Sequence, residues 1–247
     1  PRSTPKPSSA ASDVYKRQAV SWIETLWLLR PAFKTPNTKC CSTMVIKSGS
    51  EWGRQYDGGC PESVVATDRE IGTLVEECWN NESELPLIGL VGGDIWRATG
   101  SPKGGVSRLD GDAARKATID VGELWLGDRR HAVVAHVLFL KNWWTGPITA
   151  IMNSEWRRTW RVAPRAHPND GWFDLVAGDL TIHQRWLAWQ RIKSGSHLPN
   201  SNLESRRITE FRHKFPTGTR ALIDGVSVGK CEQVSLRVVS DAISVVY

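Results

Sequence analysis

The sequence predicts an α+β protein in which a truncated α/β half precedes a β-sandwich-like half with one inserted helix. Three observations predict this order. Between residues 44 and 125, strand-like segments alternate with segments of helical period. From residue 126 onwards, most apolar segments are short and are separated by turn-forming residues, as in sheets. One segment of this second half, near residues 182–192, has a helical period. We therefore expect two domains, at 44–125 and 126–247.

The α/β half begins with a short strand and a capped helix. Thr67 and Glu70 form the pattern of a capping box, and apolar residues then recur at helical spacing to about residue 80. Residues 87–91 predict the next strand, which runs directly into Gly92-Gly93-Asp94. This turn requires backbone freedom, and the N–H groups at the start of the short helix that follows could meet an anion.

A predicted β-hairpin marks the change between the two halves. Residues 118–126 and 131–140 flank a Gly127-Asp128 turn, a dipeptide typical of tight hairpins. Further strands are predicted at residues 148–152, 160–163, 173–177, 207–215, 221–223, 234–238 and 243–247.

The inserted helix carries part of an unusual excess of tryptophan, of which the chain has 13. Thr181 and Gln184 repeat the capping-box pattern. Trp186 and Trp189 share this helix three residues apart, so we expect them to pack in the core. Trp143-Trp144 differs, because adjacent strand residues point to opposite faces. One of these rings could meet lipid headgroups, and ordinary packing is the alternative.

The formal charge of +6 is concentrated near the N-terminal end. Residues 1–43 hold seven basic and two acidic residues, whereas the remaining 204 residues hold 25 basic and 24 acidic ones. An excess confined to a leader argues against nucleic-acid binding by the body. Residues 12–18 resemble a translated sequencing adaptor. We therefore expect residues 1–43 to be a disordered or artefactual leader, which makes Met44 a candidate start.

The cysteines and apolar segments exclude two further classes of site. Cys60, Cys78 and Cys231 lie outside the leader without CxxC or paired histidine spacing, so we expect no zinc centre. An odd total of five cysteines without a signal peptide favours a reducing cytoplasm. The apolar stretch at 19–29 is interrupted by Glu24 and is too short to span a bilayer, so we predict no transmembrane segment.

Several groups of residues occur in an order that is characteristic when taken together. They are residues 87–100, Ile119-Asp120-Val121-Gly122, Asn153, residues 163–174, Gly195-Ser196-His197 and Ile223-Asp224-Gly225. This ordered set resembles the landmarks of the diacylglycerol kinase family of bacterial lipid kinases. It covers roughly residues 64–247 and is most similar to a divergent, actinobacterial-type branch.

The resemblance implies ATP-dependent phosphoryl transfer to a lipid hydroxyl. Residues 44–125 would form a kinase-like nucleotide-binding domain, and residues 126–247 a β-rich lipid-binding domain. The implied site residues are Asp224 for catalysis, Gly72, Thr73, Gly92, Gly93, Asp94 and Arg97 for the nucleotide, and Asp94 for Mg²⁺. The implied partner is a lipid substrate or a membrane surface. We expect a cytoplasmic protein, with peripheral membrane contact left open, and the sequence leaves the oligomeric state undetermined.

Two departures from the family pattern bear on activity. Residues 67–73 stand where the family has Gly-Gly-Asp-Gly-Thr, and only Gly72-Thr73 matches. Side chains thus replace glycines that let phosphate oxygens approach backbone N–H groups. Val226 follows Asp224-Gly225 where the family usually has Glu, so the general base is absent or is Asp224 itself. A non-catalytic lipid- or nucleotide-binding protein of the same fold is therefore the alternative hypothesis.

Three of these residues also have purely structural interpretations. Asp94 could cap the helix after Gly93 instead of binding Mg²⁺. Arg97 could pair with a surface acid instead of a phosphate. Asp224-Gly225 is also a strong hairpin-turn signal. The sequence leaves these alternatives open.

Overall fold

The computed structural model describes residues 52–198 and 202–247, so the predicted leader at 1–43 lies outside the described residues. The helices are α1 (Asp68–Asn81), α2 (Gly93–Ala98) and α3 (Ile182–Arg191), with 3₁₀ turns at Gly105–Arg108 and Ile192–Ser194. The strands are β1 (Arg54–Gln55), β2 (Ser63–Val65), β3 (Ile88–Leu90), β4 (Arg115–Leu126), β5 (Arg129–Val133), β6 (His136–Leu140), β7 (Ile148–Met152), β8 (Trp156–Arg157), β9 (Trp160–Arg161), β10 (Phe173–Gly178), β11 (Leu203–Ile208), β12 (Glu210–Lys214), β13 (Arg220–Ile223), β14 (Val226–Lys230) and β15 (Gln233–Val246). No helix in these two ranges is both long enough and apolar enough to cross a bilayer.

The first sheet contains the predicted α/β alternation. Its strand order is β1-β4-β15-β3-β2, with β5 paired to β4 and β12 paired to β15. Strands β2, β3 and β15 run parallel, and α1 connects β2 to β3. The predicted capping box is present, since Thr67 Oγ1 accepts from Glu70 N at 3.3 Å and Glu70 Oε2 accepts from Thr67 N at 3.1 Å. Ile71 and Val75 then bury one face of α1 in the apolar cluster of this sheet.

The second sheet is antiparallel, in the order β11-β10-β7-β6-β13-β14. Leu124 of the first sheet shares a buried cluster with Phe139 and Phe173 of the second. The two sheets therefore pack together through an apolar layer, and the predicted α+β class is confirmed. Strand β15 comes from the second half of the chain but pairs within the first sheet. The predicted domain boundary between residues 125 and 126 stays a prediction.

Two predicted strands are divided between the sheets. The hairpin turn at Gly127-Asp128 is confirmed, but the predicted strand at 131–140 ends as β5 at Val133 and resumes as β6 at His136. Val134 and Ala135, which lie between these two strands, cannot continue the hydrogen-bond ladder of the sheet, because their N–H groups donate to the Asp224 carboxylate. The predicted strand at 207–215 is likewise interrupted at Thr209, whose carbonyl accepts from Val238 N at 2.9 Å.

Helix α3 forms as predicted, but the face that was expected to pack in the core is exposed. Gln184 N donates to Thr181 Oγ1 at 3.4 Å, which confirms the second capping box. Trp186 and Trp189 are 51% and 55% exposed, so the prediction that they pack in the core is wrong. Arg185 is the buried residue of this helix, because its guanidinium bonds to backbone carbonyls beneath it.

Candidate functional site

Three aspartates from separate elements surround one buried region. Asp68 begins α1, Asp94 lies in the first turn of α2, and Asp224 occupies the turn between β13 and β14. Burial, and then the charge of Asp68, raises the pKa of each of the other two, so Asp68 interacts electrostatically with both. Like charges in a water-poor site oppose ionisation, which is a common property of functional carboxylates.

The carboxylate of Asp68 occupies the N-terminus of α2. Asp68 Oδ2 accepts a hydrogen bond from Asp94 N at 2.6 Å, and Oδ1 accepts one from Ile95 N at 3.0 Å. Burial raises the pKa of Asp68, and these bonds oppose the rise. Gly93 has a φ of 97°, and a Cβ on it would lie 2.6 Å from Asp68 Oδ1. The N–H groups that the sequence indicated as an anion site therefore bind a carboxylate of the chain itself.

Asp94 lies between Asp68 and a basic segment formed by Arg157 and Arg158. Its Oδ1 accepts from Arg158 N at 2.6 Å, and its Oδ2 is 3.6 Å from His136 Nδ1. Burial, and then the charge of Asp68, raises the pKa of Asp94 to about 6. The N-cap of α2 is Gly92, and no side chain at that position caps the helix. The interpretation of Asp94 as a helix cap is therefore wrong, because Asp68 supplies the acceptor.

Asp224 accepts hydrogen bonds from the segment in which the chain passes from β5 of the first sheet to β6 of the second. Its Oδ1 accepts from Ala135 N at 2.8 Å and His136 N at 2.9 Å, and its Oδ2 accepts from Val134 N at 3.1 Å. Burial, and then the charge of Asp68, raises the pKa of Asp224 to about 7 despite these bonds. Asp224 and Gly225 have φ of 47° and 86°, as in the tight hairpin turn that the dipeptide predicts. The turn interpretation is confirmed, and the same turn positions a carboxylate with a perturbed pKa.

Gly72 and Thr73 lie inside α1 and not in a loop. Gly72 faces the catalytic candidate, since a Cβ on it would lie 3.7 Å from Asp224 Oδ2 and 3.4 Å from Ala132 O. The Thr73 hydroxyl is exposed and donates to Arg69 O at 3.0 Å within the helix. The structure thus brings Gly72 to Asp224, whereas the Thr73 hydroxyl is bonded to its own helix.

Arg97 and Asp94 hold one short segment through its backbone. The Arg97 guanidinium donates to the carbonyl of Arg158 and lies 5.0 Å from the centre of the Trp156 ring. Asp94 binds the N–H of the same Arg158. The two residues that the resemblance assigned to the nucleotide therefore position β8 and Arg158 against α2.

A buried histidine and a stacked arginine complete the surroundings of Asp94. His136 is 2% exposed, and neither ring nitrogen has a hydrogen-bond partner among the residues that the structure describes. Burial, and then the charges of Arg157 and Arg158, lowers its pKa to about 3, which makes the ring neutral at physiological pH. The Arg157 guanidinium lies over the rings of Trp143 and Trp160, at 5.1 and 5.4 Å from their centres.

The three aspartates have few carboxylate oxygens left to bind a metal ion, because most of these oxygens already accept hydrogen bonds. Within residues 52–198 and 202–247, no three His, Cys, Asp or Glu side chains are grouped as metal ligands. Asp68 and Asp224 commit both oxygens to N–H donors, whereas Asp94 Oδ2 has only the 3.6 Å approach of His136. Mg²⁺ is commonly held by one or two carboxylates together with substrate phosphates. Asp94 Oδ2 fits that single-carboxylate role.

The arrangement of sheets and helices is similar to that of solved structures described as diacylglycerol kinases. A structure described as a diacylglycerol kinase from Bacillus anthracis str. Sterne matches with a TM-score of 0.50 and 13% identity, over 70% of this chain and 72% of that chain. The chain has the diacylglycerol kinase fold. Two further structures from Bacillus anthracis str. Sterne are described as putative diacylglycerol kinases. They match with TM-scores of 0.51 and 0.50 and 11% identity, over 70% of this chain and 74% of the matched chain in each case. No protein-family model matches the sequence, and no curated protein matches it.

Within this diacylglycerol kinase fold, the sequence did not indicate the roles of Asp68, His136, Arg157 and Arg158. One signal could have indicated Asp68. The capping box at Thr67 fixes the helix start, which places the acidic side chain of Asp68 in the first turn of α1, three residues after the end of β2. No local pattern marks His136, whose environment is set by residues about 20 and 40 positions away in the chain.

Proposed function

We propose that the chain is a diacylglycerol-kinase-like enzyme that transfers phosphate from ATP to a lipid hydroxyl, with Asp224 as the general base. The observation that carries the proposal is the position of the Asp224 carboxylate, which lies in the turn between β13 and β14 and beside Gly72. Burial, and then the charge of Asp68, raises the pKa of Asp224 to about 7, which supports the proposal. A carboxylate with this pKa is a much better proton acceptor at neutral pH than an ordinary one.

In the proposed reaction, the lipid hydroxyl oxygen bonds to the γ-phosphorus as that atom's bond to the β–γ bridging oxygen breaks. The products are ADP and the lipid phosphate, and the hydroxyl proton passes to Asp224. Asp224 Oδ2 accepts one N–H bond and keeps a second lone pair for the proton. Gly72 supports this role, because it places no side chain beside that oxygen.

The basic segment supports the handling of phosphate charge. Arg157 and Arg158 lie close enough to shift the titration of His136, so their positive charge reaches the region of Asp94. Fixed cations of this kind stabilise charge on a transferring phosphoryl group. Mg²⁺, when bound at Asp94 Oδ2, would neutralise part of the phosphate charge.

A second candidate function is lipid or nucleotide binding without transfer. Asp68 occupies the N–H groups of Asp94 and Ile95, and only Gly72-Thr73 of residues 67–73 matches the family's glycine-rich loop. Both features reduce the number of backbone donors open to a nucleotide phosphate.

The test is transfer of labelled γ-phosphate from ATP to extracted membrane lipids, using the full chain with Mg²⁺. We expect labelled lipid with the unchanged chain, loss of transfer in Asp224→Asn, and little change in Asp128→Asn, where an exposed turn carboxylate is altered in the same way. Calorimetric titration with ATP separates the two candidates. Nucleotide or lipid binding without transfer would favour the non-catalytic function, and transfer that survives Asp224→Asn would remove Asp224 as the base.

A further inference from the structure

Helix α3 presents an apolar stripe to solvent. Ile182, Trp186 and Trp189 are 64%, 51% and 55% exposed, and spacings of four and three residues place them on one face of the helix. Lys193 follows four residues later in the adjoining 3₁₀ turn and is also exposed. Amphipathic helices ordinarily turn such a stripe towards the core, so its exposure indicates an interaction surface.

Buried hydrogen bonds of Arg185 fix this orientation. Its guanidinium donates to Leu180 O at 2.9 Å, to Trp143 O at 3.0 Å and to Gly146 O. The last two bonds attach the loop of residues 142–147 to the inner side of α3. This loop adds two more exposed rings, with Trp143 at 38% and Trp144 at 69%.

We propose that α3 and the loop of residues 142–147, here called the tryptophan surface, dock onto an anionic phospholipid bilayer. Indole rings favour the boundary between headgroups and acyl chains, since they combine a large apolar area with one N–H. A short helix with aromatic residues on one face and basic residues beside them is the usual form of an interfacial anchor.

The charges around the tryptophan surface favour a negative partner. Residues 141–147 and 179–194 contain three exposed cations, Lys141, Arg191 and Lys193, and a single acid, Asp179. That acid lies 3.6 Å from the Arg185 guanidinium, so its charge is already paired. Exposed basic residues next to an apolar stripe add electrostatic attraction to anionic lipid.

The tryptophan surface adjoins the candidate site. The ring of Trp143 lies under the Arg157 guanidinium at 5.1 Å, and the next residue, Arg158, donates its N–H to Asp94 at 2.6 Å. A bilayer bound at Trp143 would therefore bring lipid headgroups next to the aspartate cluster. As a route for substrate, this inference rests on the proposed function. As a membrane contact, it is tested without any phosphoryl transfer.

The experiment measures co-sedimentation of the full chain with phosphatidylglycerol-containing vesicles and with pure phosphatidylcholine vesicles. We expect salt-sensitive binding that is stronger to the anionic vesicles. Trp186→Ala/Trp189→Ala should weaken it at least about tenfold, because the anchoring apolar area is lost. Lys193→Gln should weaken binding to the anionic vesicles about fivefold and leave binding to neutral ones nearly unchanged.

Trp125→Ala/Trp172→Ala is the matched control, since it removes two rings that are 38% and 41% exposed outside the tryptophan surface. Equal loss in the control, or unchanged binding in Trp186→Ala/Trp189→Ala, would overturn the proposal. Concentration-dependent dimerisation that this double variant abolishes, without vesicle binding by the unchanged chain, would assign the surface to a second copy instead. Asp224→Asn should bind vesicles normally, so a failed kinase test and a failed docking test give different results.

Discussion

The carboxylate of Asp68 accepts a 2.6 Å hydrogen bond from the backbone N–H of Asp94, across 26 residues of sequence. This bond joins the start of one helix to the start of another and brings two acidic groups together in a buried site. Desolvation and repulsion raise the pKa of Asp94, yet the backbone donors at α2 hold Asp68 in place. Four measurements follow from the geometry around this pair and from the anchor beneath α3.

Gly93→Ala tests the close approach of Asp68 to the turn before α2. Gly100→Ala is the control, because Gly100 has a similar φ of 93° and no atom of the described residues lies within 4 Å of the added Cβ. The control should cost about 1 kcal/mol in the free energy of unfolding, from the left-handed backbone alone. Gly93→Ala should cost about 1–3 kcal/mol more, from the clash with Asp68 Oδ1. Equal losses in urea denaturation would contradict the close approach.

Asp68→Ala removes the acceptor for two buried N–H groups. We expect the free energy of unfolding to fall by about 1–3 kcal/mol, since Asp94 N and Ile95 N would lose their partner. The same change should lower the pKa of Asp224, because the charge of Asp68 is one cause of its rise. Chemical denaturation and NMR titration of the Asp224 carboxyl measure the two effects. Asp128→Ala, at an exposed turn, should change neither.

The raised pKa of Asp224 predicts opposite pH trends for stability and activity. A carboxyl whose pKa rises from 3.8 to about 7 on folding binds its proton more tightly in the folded state. Its contribution to stability is therefore full below about 3.8 and is lost as pH rises through about 7. A base must be deprotonated, so the proposed transfer rate should rise over the same upper range.

Comparison with Asp224→Asn isolates this contribution. The free energy of unfolding of the unchanged chain, minus that of the variant, should decrease between pH 5 and pH 8. A difference that stays constant with pH would show that the Asp224 pKa is not raised by folding. His136 has the opposite dependence, because its lowered pKa predicts stability that is lost as pH falls from 6.5 towards 3, and it is present in both proteins.

Arg185→Met tests the anchor beneath α3. Methionine keeps much of the apolar stem but leaves the carbonyls of Leu180, Trp143 and Gly146 without their donor. We expect a loss of about 2–4 kcal/mol in the free energy of unfolding and faster proteolysis within residues 142–147. Arg206→Met changes an exposed arginine paired with Glu204 and should cost less than about 1 kcal/mol. Similar losses in free energy of unfolding in the two variants would show that the buried hydrogen bonds of Arg185 stabilise the protein no more than an exposed ion pair does.

Local signals predicted the elements that depend on neighbouring residues. Both capping boxes, at Thr67 and at Thr181, and the Gly127-Asp128 hairpin turn are confirmed, because their hydrogen bonds close within a few residues. The Asp224-Gly225 turn is confirmed for the same reason. The division at residues 134–135 could not be predicted, since the acceptor that interrupts the ladder lies about 90 residues further along the chain.

The sequence by itself determined the α+β class, the starts of α1 and α3 and the position of Asp224 in a tight turn, because local hydrogen bonding and residue period govern these features. Only the tertiary structure decided which groups meet. It brought Asp68 to the N-terminus of α2, and it turned the Trp186 and Trp189 face of α3 outwards. Periodicity shows that a helix has an apolar face but not the direction of that face. Here the direction is set by the Arg185 guanidinium, whose bonds to Trp143 and Gly146 carbonyls hold the opposite side of the helix against the protein.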